Sequence, residues 1–319
     1  MTGTTPRRRT LLIWTALGAL YLVWGSLYLA VRYSVEAQPP LLSTGARFLV
    51  SGLVLLAVTP QTRGVPWRRT WGPGLVPGIL LIGSAGLLAI GEQEVPSGIA
   101  SLISATIPFF MVLLGATALR QRTRPVEWLG LVVGFAGAAL LAAPGSEAPA
   151  WPLALVAVSA LGWAAGSVVA AAAPQEGGLL RAVARQTVAG GAVVTLAGLA
   201  MGEAGQLGPA AFGLRPMLAW AFLMVASSLV CYPAYVWLLG VARTSLVATY
   251  GYVNPVVAVL LGWAVAGERI TGRTMLAAAL VIGAVALVVT AAPAAGHPAG
   301  PPGPGPGESG GTLGAGAGP

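Results

Sequence analysis

The sequence predicts an all-α polytopic membrane protein with ten transmembrane helices, arranged as two inverted five-helix repeats. Three observations carry this. First, of 319 residues 56% are hydrophobic and only 8% charged, whereas soluble domains carry about 25% charged residues, so the chain cannot cover a water-facing surface. Second, ten apolar runs are long enough to span a bilayer, which takes roughly 20 residues. Third, the chain repeats itself. Residues 97–143 echo 244–291 with a shift of 147 (255 − 108), which lays Pro108 on Pro255, Val112-Leu113-Leu114-Gly115 on Val259-Leu260-Leu261-Gly262, Arg122 on Arg269 and Leu129 on Leu276.

The elements follow in order. Arg7-Arg8-Arg9 precede an apolar run that looks like a signal peptide, but the run continues through Leu11–Tyr33, far enough to span, and reads as an uncleaved first helix. The remaining spans are 40–59, 73–93, 95–118, 126–143, 151–173, 179–201, 217–240, 245–266 and 272–291. Their links hold turn formers such as Gln38-Pro39-Pro40, Pro144-Gly145-Ser146 and Pro174 to Gly178. The links between the third and fourth spans, and between the eighth and ninth, are so short that each pair must be an antiparallel hairpin. Residues 61–72 read as a basic loop with Trp67 and Trp71 at the membrane interface. Residues 292–319 are mostly Pro, Gly and Ala, cannot bury a core, and are expected to be disordered.

Arginine placement orients the chain. With the N-terminus in the cytoplasm, twelve arginines fall on the cytoplasmic side (7, 8, 9, 63, 68, 69, 120, 122, 124, 181, 185 and 243) and four outside (32, 215, 269 and 273), while Arg47 lies within a span. Both termini are then cytoplasmic, and the loop near Glu147 is external. A second register, shifted by 139 (163 − 24), lays Trp24 on Trp163, Leu22 on Leu161, Gly52 on Gly191 and Val54 on Val193. Five spans per repeat is odd, so the second copy starts on the opposite side of the membrane and the repeats are inverted. Inverted repeats allow two near-isoenergetic arrangements, one open to each side, which is the device of an alternating-access transporter.

Composition also excludes. The net charge of +8 sits in the gaps between apolar runs and not in a basic patch on a soluble core, so membrane topology explains it better than nucleic acid does. A single cysteine, Cys231, permits no internal disulfide or cysteine-based metal site. The one histidine, His297, lies in the tail, and there is no Asp, so Ser-His-Asp and zinc chemistry lack their parts. No phosphate-binding Gly-x-x-x-x-Gly-Lys-Ser/Thr loop is present, so this chain does not drive transport with ATP itself. No cofactor, metal or catalytic residue is expected. A membrane-embedded enzyme would need clustered His, Asp or Cys at depth. A non-transporting scaffold or sensor is the alternative function, although the tail offers only a Gly/Pro segment for one.

Candidate pathway residues stand where polarity or aromaticity meets depth. Tyr21, Trp24, Tyr28 and Arg32 recur at helical spacing as one stripe; Trp24 and Tyr28, with Trp163 on the repeat match of Trp24, read either as a cavity wall or as packing and interface anchors. Pro108 and Pro255 remove backbone donors at matching places and read as hinges or exposed carbonyls, with Thr106 and Asn254 as polar neighbours. Tyr250 shares a helical face with Asn254, and Tyr232 with Tyr235. Arg47 lies about seven residues, or ~10 Å, into its span and needs a partner or water; among Glu36, Glu92 and Glu94, Glu92 is the deepest and is the expected partner. Small-residue stripes (Gly130, Gly134 and Gly137; Ser97, Ser101 and Ala105) read as helix–helix contacts, and Glu268-Arg269 as a loop ion pair or helix start outside the site.

Several motifs look familiar. Trp24-Gly25-Ser26-Leu27-Tyr28-Leu29-Ala30 with Glu36, Pro39-Pro40 and Ala46-Arg47-Phe48 resembles the opening of the EamA-type drug/metabolite transporter family. Gly91 to Ala100 with Ala105-Thr106-Ile107-Pro108 is similar to that family's hairpin of third and fourth helices, which adds Gln93 to the candidates. Tyr250 to Ala258 and Gly267-Glu268-Arg269 look like its ninth helix and following turn; Gln121 stands where the second repeat has Glu268. The resemblance covers 11–291 and implies two five-helix repeats (11–143 and 151–291) around a central cavity, flanked by the cytoplasmic segment 1–10 and the tail. It implies a secondary transporter in the cytoplasmic membrane of a bacterium that moves a small organic metabolite or drug-like solute, with export the expected direction. The partners are then a small solute and the lipid bilayer, with no nucleic acid, and the chain acts as a monomer or a homodimer.

Overall fold

In the computed structural model, residues 6–59, 67–117, 125–142, 148–173, 177–242, 247 and 250–291 are described. Apolar runs with no unpaired backbone group tolerated in lipid must become helices, and the described residues are helical with short turns and no strand. The first rod comprises α1 (Pro6–Ala19), a π-helical turn (Leu20–Trp24) and α2 (Gly25–Val35). Then come α3 (Pro40–Val58), α4 (Trp67–Gly91), α5 (Ser97–Ser104), α6 (Ile107–Thr117) and α7 (Pro125–Ala142). The second half holds α8 (Ala150–Ala172), α9 (Leu179–Ala200) and α10 (Leu214–Phe222), which runs through a π-helical stretch (Leu223–Cys231) into α11 (Tyr232–Val241). It closes with α12 (Tyr250–Ala266) and α13 (Gly272–Ala291). Six helices among the described residues are long and apolar enough to cross a membrane, and four shorter apolar helices accompany them.

Local chemistry sets the boundaries. Pro40 opens α3 with a φ suited to the first turn, and Pro39 before it is extended at ψ 129°. The backbone of Gly202 (φ 79°) after α9 and Gly267 (φ 67°) after α12 is left-handed, a conformation glycine adopts freely. Each glycine is followed by a glutamate that turns back onto a neighbouring helix. Glu203 accepts from Leu41 N at 3.2 Å and Leu42 N at 2.7 Å, capping α3. Glu268 accepts from Ser97 N and Ser97 Oγ, both at 2.8 Å, and from Gly98 N at 3.1 Å, capping α5.

The exterior is apolar, with Val58, Leu129, Val132, Leu196, Leu218 and Trp263 exposed, as a lipid-facing surface requires. Inside, α3 lies along α9 and α7 along α13, while α4 packs on both α8 and α9. Glycines allow the α3–α9 and α4–α9 seams: an added Cβ at Gly45 would strike the backbone of Thr195 on α9, and one at Gly190 the carbonyl of Gly78 on α4. Gly134 faces Phe109, and Gly137 faces Ala277, Leu280 and Val281, so the small-residue stripe on α7 is a helix contact.

Three details differ from the sequence reading. Residues 67–72 are the first turns of α4 and not loop, because prolines 73 and 77 are accommodated inside the helix, as membrane helices permit. The stripe from Tyr21 to Arg32 rests on 3.6-residue spacing, from which the π turn at Leu20–Trp24 departs; Trp24 is buried and Tyr21 half-buried against the same cluster. The break between α5 and α6 falls at Ala105–Thr106, ahead of Pro108, which sits in the first turn of α6 where no helical donor is needed; Pro255 lies inside the continuous α12. Gln121, Arg122, the loop at 143–147 and the tail at 292–319 lie outside the described residues.

Candidate substrate-binding site

A cavity of about 70 Å³ lies at the centre of the bundle, enclosed by side chains of both halves. Drug-sized ligand sites run to roughly 300–1,000 Å³, so this conformation is closed down around a space fit for a few waters. Trp24, Tyr28, Arg47 and Phe48 line it from the first half; Trp163, Tyr232, Tyr250 and Asn254 line it from the second. The polar remainder comes from serines 104, 159 and 227.

The aromatic wall is built edge to face. Trp24 meets Trp163 at 5.9 Å and 87°, and Tyr250 at 5.5 Å and 84°. Tyr235 packs behind, 5.0 Å from Trp24 and 5.8 Å from Tyr250. Such pairs contribute about 0.5–1.5 kcal/mol each beyond area burial, so the wall is held in shape before any ligand arrives. The tyrosine hydroxyls are engaged behind it: Tyr232 donates to Gln186 Oε1 at 3.0 Å and Tyr235 to Ser167 Oγ at 3.4 Å.

Arg47 is 3% exposed. A charge at the centre of a membrane helix costs roughly 2.5–3.5 kcal/mol on insertion scales, and this one is poorly compensated. Its guanidinium sits 4.4 Å from the Phe48 ring centre and reaches Ser228 Oγ at a long 3.5 Å, while Nε has no partner among the described residues. The expected ion pair with Glu92 is not formed. Glu92 follows the end of α4, 1% exposed, and neither carboxylate oxygen has a hydrogen-bond partner among the described residues. Glu92 lies in the turn that follows α4, and the group that meets the guanidinium is Ser228 of the π-helical stretch. Asn254 is 4% exposed, and its Oδ1 is also without a partner.

The other candidates lie outside the cavity lining. Gln93 is exposed in the turn after α4, and Thr106 is buried with its hydroxyl bound to Ile103 O at 2.6 Å. Pro108, Pro255 and Tyr235 are buried behind the lining. Sequence reasoning missed Phe48, the serines and the capping role of Glu268. Phe48, the neighbour of Arg47 in the motif already singled out, was the one with a usable signal.

A ring of polar contacts lies beyond the cavity at the end where α2 meets α10. Arg32 reaches Glu268 at 3.8 Å and Glu36 at 3.9 Å, and donates to Val95 O at 3.3 Å. Arg215 reaches Glu36 at 3.7 Å and stacks 3.7 Å over Tyr33.

Among the described residues the body is helical, with an apolar exterior and a central cavity lined by aromatic rings and a few polar groups, an arrangement that fits a membrane transporter. The EamA-like transporter family model matches residues 10–143 and again residues 150–290, and this chain belongs to that family. It is 36% identical over 286 residues to the inner membrane transporter YedA of Escherichia coli (strain K12), covering 88% of this chain and 92% of that one. It is 26% identical over 292 residues to the transporter YvbV of Bacillus subtilis (strain 168), covering 89% and 93%. Over 142 residues it is 34% identical to a protein of Streptantibioticus cattleyicolor named "Probable terminal-alkyne amino-acid exporter", covering 43% and 46%. A crystal structure shares the fold with a TM-score of 0.61 at 25% identity, covering 88% of this chain and 98% of the other. The chain is a multi-pass protein of the bacterial inner membrane.

Proposed function

We propose that this chain is a secondary transporter that exports a small organic solute by alternating access of two inverted five-helix repeats, residues 11–143 and 151–291. The observation that carries the reading is the central cavity, whose aromatic and polar lining comes from both halves.

The packing pattern supports the repeat. Exchanging the halves maps α4 on α8 onto α10 on α2, and the contact of α5 and α6 with α8 onto that of α12 with α2. The pairs α3–α9 and α7–α13 map onto themselves. The family match to each half in turn supports it as well. A pseudo-two-fold arrangement can rock about such self-paired helices to open one end and then the other. The arginine distribution puts both termini in the cytoplasm and the Arg32–Glu268 end outside.

Two experiments test this, both in a Cys231→Ser background. Gln206→Cys, in the exposed turn after α9, is expected to label with an impermeant maleimide in intact cells; labelling only after permeabilisation would reverse the topology. Ser159→Cys, in the cavity lining, is expected to label in both right-side-out and inside-out vesicles. Labelling from one side alone would remove alternating access through this cavity.

A further inference from the structure

We infer that the cavity selects a monocarboxylate anion with a flat apolar body, with Arg47 anchoring the carboxylate; this rests on the transport reading above. Among the described residues that line the cavity, Arg47 is the one that carries a charge. Guanidinium stays protonated and its planar fork matches a carboxylate bidentately. Here the fork is underused, with one long bond to a neutral hydroxyl, an unpartnered Nε, and no carboxylate within ion-pair distance among the described residues. The nearest buried acid, Glu92, makes no bond to it. A buried cation kept in this condition beside an open space is a site built for an anion brought by a ligand.

The rest of the lining narrows the ligand. Among the described residues no acidic side chain lines the cavity, so an ammonium group would find no counter-charge there, and Arg47 repels a cation. A dianion such as a phosphate ester would meet only one positive group. The rings of Trp24, Trp163 and Tyr250 offer faces and edges to a planar body. The free Oδ1 of Asn254 accepts a hydrogen bond from one N–H or O–H on that body. The chemistry therefore favours an aromatic acid over a zwitterionic amino acid, a neutral amide or a lipophilic cation.

Indole-3-acetate, indole-3-acetamide, tryptophan and ethidium separate these possibilities, with quenching of intrinsic fluorescence on the purified full-length protein and flux in proteoliposomes as readouts. Indole-3-acetate is expected to bind at least tenfold tighter than the amide and to be the fastest transported. Arg47→Gln is expected to lose that preference, and Arg47→Lys, which keeps the charge but not the fork, to retain part of it; a monodisperse elution profile for either variant shows that it folds. Equal binding of acid and amide, a preference for tryptophan or ethidium, binding of no probe at all, or an unaltered preference in Arg47→Gln would each overturn the inference. Because exchange of Ser159→Cys between the two sides needs no solute, failure of the anion preference is distinguishable from failure of the transport reading.

Discussion

Replacing Gly191 with valine is expected to remove the protein from the membrane almost completely. Gly191 of α9 faces α3 so closely that an added Cβ would lie 2.5 Å from Leu49 N, 2.9 Å from Leu49 Cα and 3.0 Å from Gly45 O. All three are backbone atoms, so no side chain can swing aside. The same seam excludes a side chain at Gly45 and Gly52, and α9 also meets α4, where Gly190 has no room for a Cβ beside Gly78 O, so shifting α9 away from α3 drives it into α4 or opens the whole interface. Overpacking costs about 1–3 kcal/mol where neighbours can relax, and occasionally more; here relaxation separates two helix axes and forfeits the dispersion contacts that hold membrane helices together. A cost of about 3 kcal/mol is more than a hundredfold in the folded fraction. Gly283→Val is the matched control, since among the described residues nothing lies within 4 Å of a Cβ there. Abundance of a C-terminally tagged protein in purified membranes reads the difference, and equal abundance of the two variants would show that the seam tolerates separation.

The same close seam explains why so much of the fold was legible in the sequence. The bilayer dictates run length, and the predicted spans 126–143 and 151–173 each fall one residue from Pro125–Ala142 and Ala150–Ala172. Gly52 and Gly191, paired by the repeat register, both lie on the α3–α9 seam. Depth and aromaticity led to Trp24, Tyr28, Arg47, Trp163, Tyr232, Tyr250 and Asn254, and all line the cavity. What could not be read depends on departures from regular geometry or on partners far apart in the chain. Spacing arguments assume 3.6 residues per turn, and the π segments at Leu20–Trp24 and Leu223–Cys231 break that assumption at the cavity itself. The second segment places Ser228 by Arg47, where a carboxylate was expected. Glu268 looked like a turn residue because nothing local marks a bond to Ser97, which lies 171 positions away.

That bond makes Glu268→Ala the variant expected to unlatch the Arg32–Glu268 end, the outer one in the proposed topology. The carboxylate has an 11% exposed side chain and holds three donors at the start of α5, the helix whose last residue, Ser104, lines the cavity. It also pairs with Arg32 on α2, so it ties the turn after α12 to helices on both sides of the cavity. Hydrogen bonds to a charged group contribute about 1.5–3 kcal/mol each and are not additive. Alanine leaves Ser97 N, Ser97 Oγ and Gly98 N without an acceptor when the end is closed, whereas an open end exposes them to water. The substitution thus destabilises the closed arrangement selectively, by about 2–3 kcal/mol on that scale, which is roughly a 30- to 150-fold shift in the equilibrium. Arg32 keeps Glu36 as a partner, so the end loosens without leaving a bare cation. The readout is the Ser159→Cys reporter in intact cells: an impermeant maleimide from outside should label it at least tenfold faster in Glu268→Ala, and at an intermediate rate in Glu268→Gln, whose amide retains one acceptor oxygen. Transport should fall in the same order, because a protein held open on one side completes fewer cycles. Labelling of Glu268→Ala at the parent rate, with normal abundance, would mean that these contacts set helix position without governing access to the cavity.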